Sequence, residues 1–288
     1  MLKNLLYLTF GLIILLSTGC ATNPITGKQE LMLFGEDQDV ELGRQYAPEI
    51  EKELGGRIDD PVMQEYIDRV GQSVARVSQK PYFEYHFVAL DHDSTNAFAL
   101  PGGYIFITRG MLEKLTSESQ LAAILAHETA HCVARDVVNA MSNQIGLTAL
   151  LAAIAYGGAP GEVVRAADMA QQIVGLKFSR SDEQQADLGG LDYLARAGYD
   201  PYGMVETMQT LESLQETRPP EFLSTHPSPE NRIGYITQRI QTKYHATDNP
   251  RKGKEEYRKF VLDRLDEPKK GEFEVLIAMK TIKTPILN

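Results

Sequence analysis

The sequence predicts an α+β fold, mainly helical, with a small β-sheet set beside one central helix. Three observations predict it. Apolar residues recur at helical spacing in several long stretches, each opened by a helix-start signal. The β-rich residues gather between Phe83 and Thr108, interrupted by Pro101-Gly102-Gly103. Beyond them, His127-Glu128-Thr129-Ala130-His131 lies in the middle of a stretch that reads as one helix.

The chain divides into residues 1–19, 20–245 and 246–288. In the first part, Lys3 precedes the apolar run Leu5 to Leu16, which is too short to span a bilayer and has the length of a secretory signal. Ser17-Thr18-Gly19-Cys20 then resembles the processing site of bacterial lipoproteins, although Leu16 stands one place earlier than usual. Cys20 is therefore the expected lipidation site. Ala21 in place of Asp directs the expectation to the outer membrane, on its periplasmic side.

Residues 21 to 35 are turn-rich and expected to run extended over the surface. A helix is expected from Glu36 to Glu53. A second is marked by Asp60 as N-cap and Pro61 at the first position, with Val62, Ile67, Val70, Val74 and Val77 following at helical spacing. Strands are expected at Phe83 to Leu90, Ala97 to Leu100 and Tyr104 to Thr108. Ser117-x-x-Gln120 has the form of a capping box, and Leu121, Ala122, Ile124 and Leu125 carry the pattern into the His-Glu-x-x-His run. From Ile145 to Tyr156 an apolar run suits a buried or lid helix, and Gly157 to Gly161 breaks it. Further helices are expected from Asp182 to Ala197 and from Tyr202 to Gln215. The part from 246 onward is a charged C-terminal extension, in which Phe273 to Met279 is apolar.

With 29 basic against 39 acidic residues, the chain has a formal net charge of −10, and its lysines are interleaved with acids. That balance excludes a nucleic-acid partner, which requires clustered Lys and Arg. Cys20 and Cys132 are the two cysteines; with Cys20 assigned to lipid, no internal disulfide forms. Cys132 follows His131 directly and so points off that residue's helix face.

Residues four apart on a helix share a face, so His127 and His131 can converge on one metal ion with Glu128 near a water on it. This is the arrangement of a zinc-dependent peptidase. Six His and 39 acidic residues in 288 give such a run by chance in roughly 2% of shuffled chains, so its helical context matters. A catalytic zinc takes three protein ligands and keeps an open position. The pattern with a third His six residues on fails, because that position is Val137 and the intervening Gly position is Ala134. An acid from a later helix remains. Glu183 and Asp187 are four apart, so one carboxylate can bind metal while the other orients a ligand imidazole. By spacing alone a solvent-exposed acidic face explains the pair equally well. His86 and His92 have no ligand spacing with the helix pair and read as structural.

The joint pattern of His127-Glu128-x-x-His131, Glu183-x-x-Ala186-Asp187 and His226-Pro227 with Arg232 behind it resembles the HtpX-like zinc metallopeptidases. Asn96 to Gly103 and Asn23 to Gly27 also match their exported bacterial members, and the resemblance covers residues 20 to 235. Some exported members add a long helical-repeat domain, for which only a short tail stands here. The resemblance implies a zincin-like fold with residues 20–245 as the metallopeptidase domain. It implies one Zn²⁺ per chain held by His127, His131 and Glu183, with Glu128 as general base. It also places Asp187 and His226 in the catalytic machinery: Asp187 orienting a ligand, His226 beside the metal as partner of the oxyanion or, in a latent form, in the open metal position.

Asn96, Ala97 and Phe98 are expected on an exposed edge strand to which an extended substrate adds. The expected activity is endopeptidase cleavage of unfolded or misassembled envelope proteins in the periplasm, with the membrane reached through lipid on Cys20. The rival from another class is a lipoprotein chaperone or scaffold for outer-membrane clients, its zinc structural or regulatory.

Overall fold

The structure, a computed structural model, describes residues 20–145, 173–214, 220–228, 231–244 and 250–266. The expected leader 1–19, the apolar run beyond Ile145 with its glycine break, and Phe273 to Met279 lie outside the described residues.

The chain opens with a two-stranded antiparallel ribbon, β1 (Cys20–Thr22) and β2 (Gln29–Leu31), in register Ala21 opposite Glu30. The segment lies extended and largely exposed as expected; the pairing of its two ends is what the sequence did not foretell. Asn23 closes the turn by accepting from the N–H groups of Ile25 and Thr26 at 2.9 and 3.3 Å. Its own amide donates to Glu30 and, across the molecule, to Gln185 at 3.1 Å. One short polar side chain thus organises the turn and docks the ribbon.

Helix α1 (Glu36–Glu53) and helix α2 (Pro61–Ala75) have the expected bounds at their N-termini. At α2 the reason is explicit: Asp60 accepts from the N–H groups of Val62 and Met63, both at 3.0 Å, and Pro61 has no N–H to satisfy. The face formed by Met63, Ile67, Val70 and Val74 is buried.

Strands β3 (His86–Leu90), β4 (Ala97–Ala99) and β5 (Tyr104–Thr108) form one sheet in the order β3-β5-β4. Strand β5 is central, parallel to β3 and antiparallel to β4, with Phe98 opposite Phe106. The first strand begins at His86 rather than Phe83. Alternation of side chains sends Phe87, Ala89, Ala97, Ala99, Ile105 and Ile107 to a core shared with α2 and the metal-motif helix. Val88, Leu90, Phe98 and Phe106 face the opposite way, onto Tyr46 and Ile50 of α1 and Val137 and Met141. Both faces are covered, which is why the strands read as apolar runs rather than polar-apolar alternation.

After the short α3 (Arg109–Leu112) comes α4 (Glu118–Ala134), the helix bearing the motif. The Ser117 hydroxyl accepts from Gln120 N–H at 3.3 Å, but Gln120 turns its own oxygen to the N–H of Thr116 at 2.6 Å. The expected capping box is therefore half formed. Helix α4 is buried on nearly all sides, as befits a helix with partners all round it. Arg135 then takes a left-handed conformation, φ 62° and ψ 35°, and residues 136–145 are helical again.

Helix α5 (Arg180–Arg196) starts two residues before the expected Asp182. The cause is a capping box in which Asp182 N–H donates to Ser179 and Ser179 N–H to Asp182, at 3.2 and 2.9 Å. It lies against α4 with Gly190 at the contact: a Cβ there would stand 2.9 Å from His127 N and 3.0 Å from the Ala126 carbonyl. Helices α6 (Tyr202–Leu214), α7 (Phe222–Thr225) and α8 (Arg232–Lys243) follow. From the charged extension, residues 250–266 return to the body, where Tyr257 and Val261 are fully buried. The carbonyls of Gly253 and Lys252 accept from the first N–H groups of α4, Glu118 and Ser119, at 3.2 and 3.1 Å. No helix among the described residues is long and apolar enough to cross a membrane.

Candidate active site

Helix α4 presents His127 and His131 on one face, and their Nε2 atoms stand 3.1 Å apart. Glu183, near the start of α5, places Oε2 3.6 Å from His127 Nε2 and Oε1 3.4 Å from His131 Nε2. His226, just after α7, brings Nδ1 to 2.9 Å from Glu183 Oε1 and 3.4 Å from His127 Nε2. One donor atom from each of these four residues lies within 4.8 Å of the others, and all four side chains are buried. The structure thus brings together every expected metal ligand, with His226 joining them as a fourth donor. The remaining expected site residues, Glu128 and Asp187, are equally buried around this group.

The chemistry of the set fits a cation. A carboxylate lies near Nδ1 of each helix imidazole, and the two Nε2 atoms face each other across 3.1 Å beside an anionic Glu183. Such a group repels itself unless positive charge lies between its members. Burial disfavours the charged form of His127 and His131, but Asp187, Asp136 and Glu183 outweigh it and hold both rings above the ordinary histidine range, His131 well above. Burial also disfavours ionised Glu183, yet His226, His127 and His131 hold it well below the usual carboxylate range. A divalent ion would satisfy the site with one charge centre.

Each helix imidazole has its own carboxylate. Asp187 Oδ1 lies 3.1 Å from His127 Nδ1, in contact but off the line of a well-formed hydrogen bond. Arg232 Nη2 donates to the same oxygen at 2.6 Å and lies 3.3 Å from Glu183, while the Tyr235 hydroxyl donates to Asp187 Oδ2. Burial works against Asp187 ionisation, and Arg232 and His127 hold the carboxyl below its ordinary value nonetheless. At His131 the partner is Asp136, at 2.7 Å from Nδ1. Burial pushes Asp136 up to about 6 against the pull of His131.

Glu128 is fully buried and, among the described residues, neither carboxylate oxygen has a hydrogen-bond partner; His226 Nε2 lies 3.7 Å from Oε1. The site is walled by rings: Phe178 stacks on His131 at 4.3 Å and Phe222 on His226 at 4.2 Å between centroids.

The expected substrate strand is placed differently in one respect. Ala97 and Phe98 are buried, because the sheet is covered on both faces and Phe98 stacks on Phe106 at 5.2 Å. The strand is nonetheless at the sheet edge: β4 pairs with β5 on one side and with no strand on the other among the described residues. Asn96 is buried as well, and its Oδ1 has no partner among the described residues. His92 bonds Ser94 at 2.8 Å and His86 stacks on Tyr104, both away from the metal group. Cys132 turns its sulfur toward the Leu100 carbonyl, and burial raises its thiol. Cys20 is exposed at the start of the ribbon.

Sequence reasoning missed Asp136, Tyr235, Phe178 and Phe222. Tyr235 lies three residues after Arg232 on α8, so helical spacing carried a usable signal for it. The two phenylalanines read as ordinary apolar residues.

Peptidase family M48 matches residues 61–240, well over half of the chain. The chain belongs to this family. Relatives of the M48 chain include the beta-barrel assembly-enhancing protease of Yersinia pestis, 29% identical over 81% of this chain and 52% of the relative. The protein of that name from Escherichia coli strain K12 is also 29% identical, over 68% of this chain and 42% of its own length. The mitochondrial metalloendopeptidase OMA1 of Schizosaccharomyces pombe is 30% identical over 70% of this chain and 62% of its own. The M48 chain thus spans about half the length of the bacterial relatives it matches.

Proposed function

We propose that this M48 chain is a zinc-dependent endopeptidase that cleaves unfolded or misassembled proteins of the cell envelope. The observation that carries the reading is the buried group His127, His131, Glu183 and His226 with an unpartnered Glu128 carboxylate beside it. A purely structural metal site has no use for a buried base, and for that reason the chaperone or scaffold reading is not favoured.

His127, His131 and Glu183 would hold the zinc, which when bound supplies a Lewis acid to the scissile carbonyl and acidifies water. The chain's own groups do the rest. Glu128 takes the proton of the attacking water and returns it to the leaving amine, a task suited to a carboxylate with no competing hydrogen bond. Asp187 keeps the His127 ring oriented while Arg232 and Tyr235 hold Asp187. His226 stands among the ligand donors in this arrangement, at 2.9 Å from Glu183. This placement supports a latent resting form, from which His226 withdraws for a substrate to enter. Once withdrawn, its Nε2 becomes available to the tetrahedral oxyanion. The edge of β4 and the Asn96 Oδ1, both without a partner among the described residues, suit an extended chain bound through its backbone, with little demand on side-chain sequence.

The envelope setting is supported by the names of the bacterial relatives and by the leader ending at Cys20, which is exposed where a lipid would emerge. We place the protein in the periplasm, anchored to the outer membrane through Cys20. Glu128→Gln tests the activity: casein cleavage should fall by about 10²- to 10⁴-fold or more while zinc stays bound. Undiminished cleavage would sink the proposal. Comparing envelope proteomes of cells with wild-type and Glu128→Gln protein would then reveal the substrates.

A further inference from the structure

We propose that Asp136 is a positioning residue of the metal site, fixing the His131 ring through Nδ1 so that Nε2 faces the metal. The inference rests on the metal reading above. Its geometry is direct: Asp136 Oδ2 lies 2.7 Å from His131 Nδ1, and both side chains are buried. An Nδ1–H donated to this carboxylate leaves the lone pair on Nε2, the atom turned toward His127 and Glu183. Among the described residues His131 is the only hydrogen-bond partner of the carboxylate.

A continuous helix would not deliver this contact. Five residues at about 100° each carry a side chain roughly 140° round the helix from His131. The chain reaches back because α4 stops at Arg135, whose φ of 62° turns the backbone before Asp136. The left-handed region costs a non-glycine residue about 1–2 kcal/mol, so something must hold it. Arg135 donates from Nε to Asp39 Oδ2 at 2.6 Å, and from Nη2 to Asp39 Oδ1 at 3.0 Å and to the Phe34 carbonyl at 2.6 Å. Asp39, on α1, is itself buried. Backbone strain over-determined by a bidentate buried pair, one residue from a carboxylate on a ligand ring, is the signature of a positioning device.

The test is zinc affinity, measured by competition with a chromophoric chelator on the full chain. Asp136→Asn keeps the shape and the hydrogen bond but removes the charge, and should weaken zinc binding by about 10- to 100-fold. Asp136→Glu, which restores the charge, should recover part of that loss. Melting of the zinc-free proteins separates the alternatives: a positioning role leaves it near wild type, whereas a merely structural bond lowers it and leaves the affinity of the folded protein unchanged. Affinity within twofold of wild type, or that structural pattern, overturns the proposal. Asp136→Ser carries the same comparison should the Asn variant not fold. Failure of the wild-type protein to bind zinc would instead overturn the metal reading itself.

Discussion

The two imidazoles of α4 are held in opposite ways. His127 is served from a distance: Asp187 comes from α5, and Asp187 is in turn held by Arg232 and Tyr235 of α8. His131 is served by its own helix end, where Asp136 follows the left-handed Arg135 and, among the described residues, has no cation partner except the ring it holds. The first arrangement distributes one carboxylate's charge over three partners and ties three helices together. The second depends on a single contact and on the backbone turn that creates it. The first half should therefore tolerate loss of a peripheral partner, and the second should not.

The largest effect should come from removing the guanidinium that joins the two acids of the first half. Arg232 is buried and lies within 3.3 Å of both Asp187 and Glu183. Arg232→Met leaves two buried carboxylates without it, a loss of about 3–5 kcal/mol for a broken buried pair. Zinc supplies positive charge to Glu183, so the loss should be smaller in zinc-loaded than in chelated protein. Urea unfolding with zinc and with chelator measures both. Equal losses in the two states would mean that Arg232 acts on the fold and not on the charge of the site.

A smaller effect should follow from the helix contact that brings α5 to the metal. A methyl at Gly190 would meet backbone at 2.9 Å, whereas at Gly189 it meets side-chain atoms, nearest at 3.3 Å. Gly→Ala within a helix is otherwise favourable by roughly 1 kcal/mol. Gly190→Ala should instead destabilise by about 1–3 kcal/mol and weaken zinc binding, because Glu183 and Asp187 move with α5. Gly189→Ala should be far milder. A Gly190→Ala protein that melts at or above wild type and binds zinc normally would show that the two helices have room to part.

The same contrast explains what could be read in the sequence. Asp187 was legible because it shares a helix face with Glu183, although spacing alone left both level with a solvent-exposed acidic face. Asp136 was not, since it lies past a helix end that no Gly or Asn marks; Arg135 holds the left-handed turn through Asp39, far away in sequence. The start of α2 was legible from its local cap, Asp60 with Pro61, whereas the equally local Ser179–Asp182 box set the start of α5 two residues earlier than expected. The ribbon at Cys20 was missed because each strand is three residues long and its stability comes from Asn23 reaching Gln185. His226 entered only through family resemblance, because its approach to Glu183 is made across a loop and leaves no spacing to read.

The finest test of the comparison is the most peripheral group on the His127 side. Tyr235→Phe removes one hydroxyl from Asp187 and leaves Arg232 in place on the other oxygen. A hydrogen bond to a charged group contributes about 1.5–3 kcal/mol, but here the surviving guanidinium keeps the carboxylate compensated, so the stability loss should fall at or below the low end of that range. Zinc affinity should change by no more than a few-fold, against the much larger loss expected for Asp136→Asn. The measurement is the same chelator competition performed on both variants. If Tyr235→Phe weakened zinc as much as Asp136→Asn, the three-partner arrangement would hold no reserve, and the two halves of the site would be equally fragile.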